Sequence, residues 1–280
     1  MAVPYERASK KNFNFGLGFL LINSREIMNM SFIPIKTKKI LPPQEDIFPI
    51  LAKELEGKIR ENDVLLITSK ILGIHQGNCL PIEGTDKDEL IKKESDQYIS
   101  RDLCPNKNAI LTIKDNTLIP SAGIDESNSN GYFVMYPQNT QKLLAEIREF
   151  LCQKFSIKNL GIIATDSHSI PLRWGVMGVS IGFSGLKPFI EKAGTPDIFG
   201  RKLQFTRVNV VDSLASLGVV IMGEANEQTP LLIIRGANFA EFTNQDFYDD
   251  FIIAREDDMF APILSVFDGQ RPSGKGRKEV

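Results

Sequence analysis

The strongest constraint on the fold is a set of short apolar runs separated by helix-like segments. The runs at 64–68, 160–164 and 231–234 have the length and composition of buried strands. Between them, apolar positions recur at helical spacing after Asn139, which is predicted to cap that helix, and again over 208–218, in a helix predicted to end near residue 223. This alternation predicts an α/β to α+β fold, a mixed sheet with flanking helices.

Three small polar loops that carry carboxylates lie next to these elements. They are Gly123-Ile-Asp-Glu-Ser-Asn128, Thr165-Asp-Ser167 and Gly223-Glu-Ala-Asn-Glu-Gln-Thr-Pro230. Carboxylate, hydroxyl and amide oxygens are the ligands that Mg²⁺ and Mn²⁺ prefer, and such a cluster can hold the phosphates of a nucleotide. Taken singly, each loop is also an ordinary turn or helix cap. A metal site therefore depends on the three loops meeting in space.

Polar residues also follow two of the predicted strands directly. Asp166 comes after the run at 160–164, and Ser69 and Lys70 come after the run at 64–68. Ligands of open α/β sheets bind at the carboxyl ends of strands, so these positions favour contact with a metal or a phosphate. Arg173, whose guanidinium is a planar fork of donors, is a further candidate for holding a carboxylate or phosphate.

Glycines recur at positions 175, 178, 182 and 185. On a helix they would share one side and let another backbone approach closely, whereas in a loop they would expose amide groups to an anion. Close packing is the preferred interpretation for the later ones.

Composition and charge narrow the class of protein. The 280 residues are 42% hydrophobic and 24% charged, with a net charge of −2, which is typical of a globular enzyme and gives no nucleic-acid-binding footprint. Cys79, Cys104 and Cys152 are isolated and odd in number, so a reducing cytoplasm is predicted rather than a disulfide framework. The uncharged stretch at 175–186 is far shorter than the roughly 20 residues that a membrane-spanning helix needs.

The expected organisation is one domain over residues 31–265. Residues 1–30 are predicted to be a poorly ordered extension, because their charged and apolar parts imitate a signal peptide without a small-x-small cleavage site. Residues 266–280, basic and interleaved with Gly and Pro, are predicted to be a flexible tail. The highly charged segment 83–104 is predicted to be a solvated helix.

Two segments resemble known catalytic motifs, but neither match is complete. The segment 194–202 imitates a P-loop but has five residues instead of four between its glycines and no hydroxyl residue at the end. Gly178-Val-Ser-Ile-Gly182 matches the nucleophile elbow of hydrolases, which needs a later histidine, but His75 and His168 both precede Ser180. Two histidines are also too few for histidine-based zinc chemistry, so the acidic loops remain the best candidate site.

The loops resemble, in order, those of the coenzyme F-420 γ-glutamyl ligase family. The matching pieces span about residues 32–236 and are Ile67-Thr-Ser-Lys70, Gly123-Ile-Asp-Glu-Ser-Asn128, Thr165-Asp-Ser167, Arg173-Trp-Gly175, Gly178-Val-Ser-Ile-Gly182, Asp197-Ile-Phe-Gly-Arg201 and Met222-Gly-Glu-Ala-Asn-Glu227. No single piece is decisive, but the ordered set is specific to that family.

The resemblance implies a γ-glutamyl ligase-like fold, a homodimer, and a GTP-dependent enzyme that joins L-glutamate to a small carboxylate acceptor. It implies two divalent metal sites for Mg²⁺ or Mn²⁺, one held by Asp125 and Asp166 and the other by Ser167 and Glu224. Arg173 is the candidate for holding an acidic substrate or phosphate during catalysis. The residues implied to contact GTP are Lys38, Lys39, Ile40, Leu41, Ser69, Asn128, Met222, Gly223, Glu224, Ala225, Asn226, Glu227, Gln228 and Thr229.

The chain departs from the family pattern near the first strand. Where family members often have Ser-Lys-Ala-Glu-Gly, this chain has Gly73-Ile-His-Gln-Gly77, so the expected phosphate-contacting lysine is Ile74 and the acid is Gln76. Lys70, in the same turn, is expected to contact the nucleotide in its place. The departure leaves the acceptor open between a deazaflavin of the F-420 type, a folate or another molecule. A metal-dependent phosphohydrolase and a non-catalytic nucleotide-binding protein are the alternative functions.

Overall fold

The computed structural model of the protein describes residues 30–267. The extension predicted at 1–30 lies outside the described residues apart from Met30, and the tail predicted at 266–280 lies outside apart from its first two residues. Phe267 is buried and its carbonyl accepts a hydrogen bond of 3.1 Å from Gln97 Nε2.

Strands and helices alternate along the described chain. The strands are β1 (Ser31–Ile35), β2 (Asp63–Thr68), β3 (Cys79–Pro81), β4 (Gln97–Ile99), β5 (Leu111–Lys114), β6 (Thr117–Pro120), β7 (Tyr132–Val134), β8 (Leu160–His168), β9 (Met177–Ser184), β10 (Phe189–Glu191), β11 (Arg207–Asn209) and β12 (Leu231–Arg235). The helices are α1 (Phe48–Leu55), α2 (Ser69–His75), α3 (Lys87–Glu94), α4 (Thr140–Phe155), α5 (Val210–Met222), α6 (Tyr248–Phe251) and α7 (Ala261–Leu264). No helix within residues 30–267 is long and apolar enough to cross a membrane.

The largest sheet is mixed, in the order β1-β12-β2-β8-β9. Its central pair, β2 and β8, runs parallel, and every other pair in it is antiparallel. Because β2 and β8 are parallel neighbours, their carboxyl ends meet at one edge, where Thr68 lies opposite Thr165. Smaller sheets are formed by β3 with β7, by β4-β5-β6 and by β10 with β11. The predicted α/β to α+β class with a mixed sheet is confirmed.

Helices cover both faces of the large sheet. Along β2 every residue from Val64 to Ile67 is fully buried, with Leu65 and Ile67 in one core and Val64 and Leu66 in the other. The first core is closed by apolar residues of α1, α2 and α4, and the second by the apolar side of α5. A strand buried on both faces loses the alternation of polar and apolar residues, which explains the uninterrupted apolar run in the sequence.

The strand predicted at 160–164 is longer than expected. It continues to His168, because residues 165–168 pair with 177–180 of β9 after a register shift between Ala164 and Thr165. Asp166 and Ser167 therefore lie within the strand rather than after it. The prediction ended the strand at Ala164 because the residues after it are polar. Polar residues can extend a strand where a partner strand supplies the backbone hydrogen bonds, as β9 does here.

Helix starts were predicted less well than helix ends. Asn139 occupies the N-cap of α4, but it has φ of 50° and its side chain makes no capping hydrogen bond. The helix predicted over 208–218 begins at Val210, since Val208 belongs to β11, and it ends at Gly223 as predicted. The solvated helix predicted over 83–104 is also wrong in length. Only Lys87–Glu94 is helical there, and Leu90 and Ile91 are buried in a small separate core.

Of the recurring glycines, Gly178 and Gly182 lie on β9 instead of a helix, whereas Gly175 precedes the strand and Gly185 follows it; close packing is confirmed for the two on the strand. A Cβ on Gly178 would overlap the backbone of Ala215 in α5, and one on Gly182 would overlap Gln141 of α4. These glycines let two helices approach β9 from opposite sides.

Candidate functional site

A cleft of about 490 Å³ opens at the edge where β2 and β8 end. Thr68 and Thr165 lie at its floor, and the backbone N–H of Thr68 donates to the carbonyl of Pro230 at 3.1 Å. The cleft therefore forms where the loop before β12 crosses the carboxyl ends of the central parallel strands. That is the position at which open α/β sheets bind ligands.

All the residues predicted to bind metal or nucleotide line this cleft. They come from five segments far apart in the chain: 38–41, 69–70, 125–128, 166–167 and 222–229. The three acidic loops therefore meet in space, which spacing in the sequence could not establish. Their placement is what the predicted roles require, and the roles themselves stay predictions.

Asp166 lies on the cleft floor and is held by two hydroxyl groups. Tyr136 Oη donates to Asp166 Oδ2 at 2.6 Å, and Ser69 Oγ donates to Asp166 Oδ1 at 3.0 Å. Burial, with a smaller contribution from the nearby Asp125 carboxylate, raises the pKa of Asp166 to about 6 against the opposing effect of the hydroxyl donors. This carboxylate is therefore costly to keep charged unless a cation approaches it.

Asp125 is paired with Lys70, the second residue of α2. Lys70 Nζ lies 2.7 Å from Asp125 Oδ2 and also donates to the carbonyl of Ser127 at 2.9 Å. Burial raises the pKa of Asp125, but the charge of Lys70 and hydrogen bonds from Lys70 and Ser127 outweigh it, so the pKa lies below its usual value. Asp125 thus remains a carboxylate across the ordinary pH range.

Glu224 completes the group of acidic side chains. Burial is the main cause that raises its pKa, and the charges of Asp125 and Glu227 add to the effect, while a hydrogen bond from Ser167 and the charge of Lys70 oppose it. Glu224 therefore lies in the electrostatic field of the Asp125 and Glu227 carboxylates.

The loop 223–230 is tied to both of its neighbours. Asn128 Nδ2 donates to the carbonyl of Ala225 at 2.7 Å. On the other side, Thr37 N donates to the carbonyl of Gln228 at 3.2 Å, and Gln228 Nε2 donates to the carbonyl of Thr37 at 2.5 Å. These bonds join three walls of the cleft into one frame.

The donor set fits a hard divalent ion, although no three acidic, histidine or cysteine side chains within residues 30–267 are arranged to hold one by themselves. Mg²⁺ is commonly bound by one or two carboxylates together with water and substrate phosphates, so an all-protein cage is not expected. Burial is the main cause of the raised pKa values of Asp166 and Glu224, because it makes their charged forms costly. A cation bound beside them would offset that cost.

Arg173 is the one predicted site residue that the structure does not bring to the cleft. It lies exposed in the loop between β8 and β9, where its Nη1 donates to the carbonyl of Leu172 at 2.9 Å. Arg173 is not among the residues that line the cleft, so its catalytic role stays a prediction.

Sequence reasoning missed two groups that shape the site. Tyr136 follows an apolar strand and carries no signal of a polar contact in the sequence, yet it binds Asp166. Glu45 accepts hydrogen bonds from Leu41 N, at 2.7 Å, and from Lys38 Nζ, and so holds the segment 38–41 against the cleft. The only sequence signal for this contact was the position of Glu45, four residues after Leu41, from which a carboxylate can reach the Leu41 backbone N–H.

Comparison with known proteins identifies relatives for this arrangement. Residues 34–236 match the protein-family model described as F420-0:Gamma-glutamyl ligase. The Coenzyme F420:L-glutamate ligase of Methanocaldococcus jannaschii is 31% identical over 254 residues, which cover 88% of this chain and 95% of that protein. Proteins of the same name from Methanopyrus kandleri, at 30% identity over 72% of this chain and 85% of that protein, and from Methanococcus maripaludis, at 31% over 88% and 95%, also match.

Proposed function

Because the chain belongs to the F420-0:Gamma-glutamyl ligase family, we propose that it is a ligase that adds L-glutamate to a deazaflavin cofactor of the F420 type. The observation that carries this proposal is the convergence of Asp125, Asp166, Ser167 and Glu224 on one cleft with both predicted nucleotide-binding segments. The new bond is a γ-linked amide, and the proposal keeps the cytoplasm as its location.

The proposal includes GTP as co-substrate and Mg²⁺ or Mn²⁺ at two sites. Asp125 and Asp166 would hold one ion, and Ser167 and Glu224 the other. The ions supply neutralisation of the phosphate charge, on which phosphoryl transfer chiefly depends. Segments 38–41 and 222–229 form the walls that would enclose the nucleotide.

The reaction divides into two transfers. A carboxylate oxygen of the acceptor attacks the γ-phosphorus of GTP, GDP leaves, and an acyl phosphate forms. The amino nitrogen of glutamate then attacks the acyl carbon, phosphate leaves with the C–O bond electrons, and the nitrogen loses a proton. The protein's part is positioning: Lys70 neutralises charge beside Asp125, while Asn128 and Gln228 hold the loop 223–230 over the nucleotide.

Ile74 stands where the family pattern has a phosphate-contacting lysine, so Lys70 is proposed to make the phosphate contact instead. Ile74 is 1% exposed and belongs to the apolar part of the cleft, so no lysine reaches the nucleotide from that position. Gln76 is turned away, since its side chain accepts from Gln138 N at 2.7 Å. Lys70 is thus the cation of α2 that faces the carboxylates.

The direct test is to incubate the protein with GTP, Mn²⁺ or Mg²⁺, glutamate, and deazaflavin or folate acceptors, and to measure products by mass. We expect a deazaflavin product heavier by one or more glutamyl units and none with EDTA. A product made only from folate would change the acceptor. GTP hydrolysis that needs neither glutamate nor acceptor would favour a phosphohydrolase, and GTP binding without turnover would favour a non-catalytic protein.

Replacing Lys70 with methionine is expected to raise the KM for GTP by about tenfold or more. A hydrogen bond from a charged donor to phosphate contributes about 1.5–3 kcal/mol, and methionine keeps the length of the side chain without its charge. Initial rates over a range of GTP concentrations measure the change. Lys92→Met, on the surface of α3, is the matched control and should leave KM unaltered. An unchanged KM in Lys70→Met would remove this lysine from the nucleotide site.

We also propose that the protein is a homodimer. Two segments expose large apolar side chains: the loop between β8 and β9 with Leu172 and Trp174, and the β10–β11 connection with Ile198, Phe199 and Phe205, where Ile198 is 92% and Phe205 91% exposed. Such patches favour burial against another protein, and a second copy is the partner that the family resemblance implies.

Light scattering after gel filtration is expected to give about twice the 31.3 kDa mass of the chain. The variant Trp174→Ser with Phe199→Ser is expected to shift the protein to the monomer mass, because both changes remove apolar area from the interface. Leu103→Ser, at an exposed apolar residue elsewhere, is the control. A wild-type protein that elutes as a monomer at micromolar concentration would contradict the proposal.

A further inference from the structure

We propose that Tyr136 is a positioning residue that sets the orientation of the Asp166 carboxylate and its spacing from the Asp125 loop, and thereby the affinity of the cleft for a divalent cation. The inference rests on the proposed function in taking both aspartates as metal ligands. It adds a residue for which neither the sequence motifs nor the cleft lining provides a role.

Hydrogen bonds hold both oxygens of the Asp166 carboxylate. Its two oxygens each receive one hydroxyl donor, Tyr136 Oη at 2.6 Å on Oδ2 and Ser69 Oγ at 3.0 Å on Oδ1. Donors on both oxygens restrict rotation of the carboxylate about its last torsion. Each ionised oxygen still has lone-pair capacity for a metal, so the hydroxyls orient the group without occupying it.

The ring of Tyr136 is packed into the core. Tyr136 is 6% exposed and belongs to the main core, and its backbone is fixed because its carbonyl accepts from Asn78 Nδ2 at 2.9 Å. Few alternative rotamers fit a side chain buried in this way, so the position of the hydroxyl is set by the core rather than by Asp166.

The Tyr136 ring also contacts Gly123, two residues before Asp125. Gly123 has φ of 67°, and a Cβ on it would overlap the edge of the Tyr136 ring. The ring therefore lies directly against the backbone from which the Asp125 loop starts, while its hydroxyl binds Asp166. One side chain therefore contacts both the Asp166 carboxylate and the backbone two residues before Asp125.

A phenol suits this task better than other donors. Its hydroxyl donates to the Asp166 carboxylate while its ring fills part of the main core, so one side chain provides both the contact and its support. A tyrosine needed only for packing would be replaceable by phenylalanine, which provides the same ring. The two roles are therefore separable by removing one oxygen atom.

The experiment compares wild type with Tyr136→Phe. Calorimetric titration of the metal-free protein with Mn²⁺ is expected to show affinity weakened by about tenfold or more, as is usual when a group that orients a metal ligand is lost. In activity assays the Mn²⁺ concentration for half-maximal rate should rise by a similar factor, and saturating Mn²⁺ should restore kcat. Tyr98→Phe, in the three-stranded sheet, is the matched control and should behave as wild type.

A double variant tests whether Tyr136 acts through Asp166. In an Asp166→Asn background, removing the Tyr136 hydroxyl should not weaken Mn²⁺ binding further. An additional loss there, or wild-type affinity and half-maximal Mn²⁺ concentration in Tyr136→Phe alone, would overturn the inference. Failure of the proposed function is distinct, since wild type itself would then bind no Mn²⁺ or form no glutamyl product.

Discussion

Replacing Asp166 with asparagine is expected to abolish glutamyl transfer while stabilising the metal-free protein. The loss follows from weakening a metal ligand, because charge neutralisation by a bound ion is worth several kcal/mol in a phosphoryl-transfer transition state. A loss of about 4 kcal/mol corresponds to a rate about 10³-fold lower. Glutamyl product measured by mass under saturating GTP and Mn²⁺ gives the size of the effect.

The gain in stability follows from the pKa of Asp166, which the fold raises from 3.8 to about 6. A carboxyl group with a raised folded-state pKa contributes stability below its unfolded pKa, and this contribution is lost as pH rises through the folded pKa. At pH 8 the charged Asp166 therefore destabilises the metal-free fold, by about 2 kcal/mol once partial access from the cleft is considered. Asparagine carries no charge and avoids this cost.

Denaturation in EDTA at pH 8 and pH 4 tests this gain. Asp166→Asn should be more stable than wild type at pH 8, and the difference should shrink at pH 4, where wild-type Asp166 is protonated. Added Mn²⁺ should stabilise wild type more than the variant. Asp102→Asn, at an exposed carboxylate, is the control for charge alone. Equal stability at pH 8 would contradict the cost assigned to the buried Asp166 charge, and retained turnover would contradict its role as a metal ligand.

The second large effect is expected at Asp63, far from the chemistry. Asp63 is fully buried at the start of β2 and accepts from Arg235 Nε at 2.9 Å and Nη2 at 2.8 Å, and from the Arg60 backbone N–H at 2.7 Å. Asp63→Ala should lower the free energy of unfolding by about 3 kcal/mol, because it leaves a half-buried guanidinium and a backbone donor without their acceptor.

A double-mutant cycle separates the ion pair from the other losses. Asp63→Ala combined with Arg235→Met removes both charges and should be less destabilised than Asp63→Ala alone, since replacing a whole buried pair costs less than breaking it. Urea denaturation at constant pH measures all four proteins. If the double variant loses the sum of both single effects, the pair contributes nothing beyond packing.

The sequence predicted the core of the fold from a few elements. Strands at 64–68 and 231–234 and the helix after Asn139 were recognisable because burial on one or both faces imposes a pattern that local residues cannot hide. Asp166 was placed after its strand instead of inside it, because the last residues of β8 are held by pairing with β9, which a local pattern does not record.

In the candidate site, too, some residues were predicted from the sequence and others were found only in the structure. Asp125, Asp166, Ser167 and Glu224 were identified as a set only because loop motifs matched a family in order. Arg173 was identified by the same match but lies outside the cleft. Tyr136 was missed, since a buried tyrosine has the same sequence signal whether its hydroxyl meets water, a carbonyl or a carboxylate.

What the sequence alone determined is therefore the class of fold, the position of its most strongly patterned elements and the residue types available for chemistry. These follow from local periodicity and from the identity of the side chains. Only the tertiary structure decided which carboxylates share a cleft, that Lys70 pairs with Asp125, and that one ring lies between Gly123 and Asp166. Such contacts join residues far apart in the chain, and their energies depend on distance and burial, which no local pattern encodes.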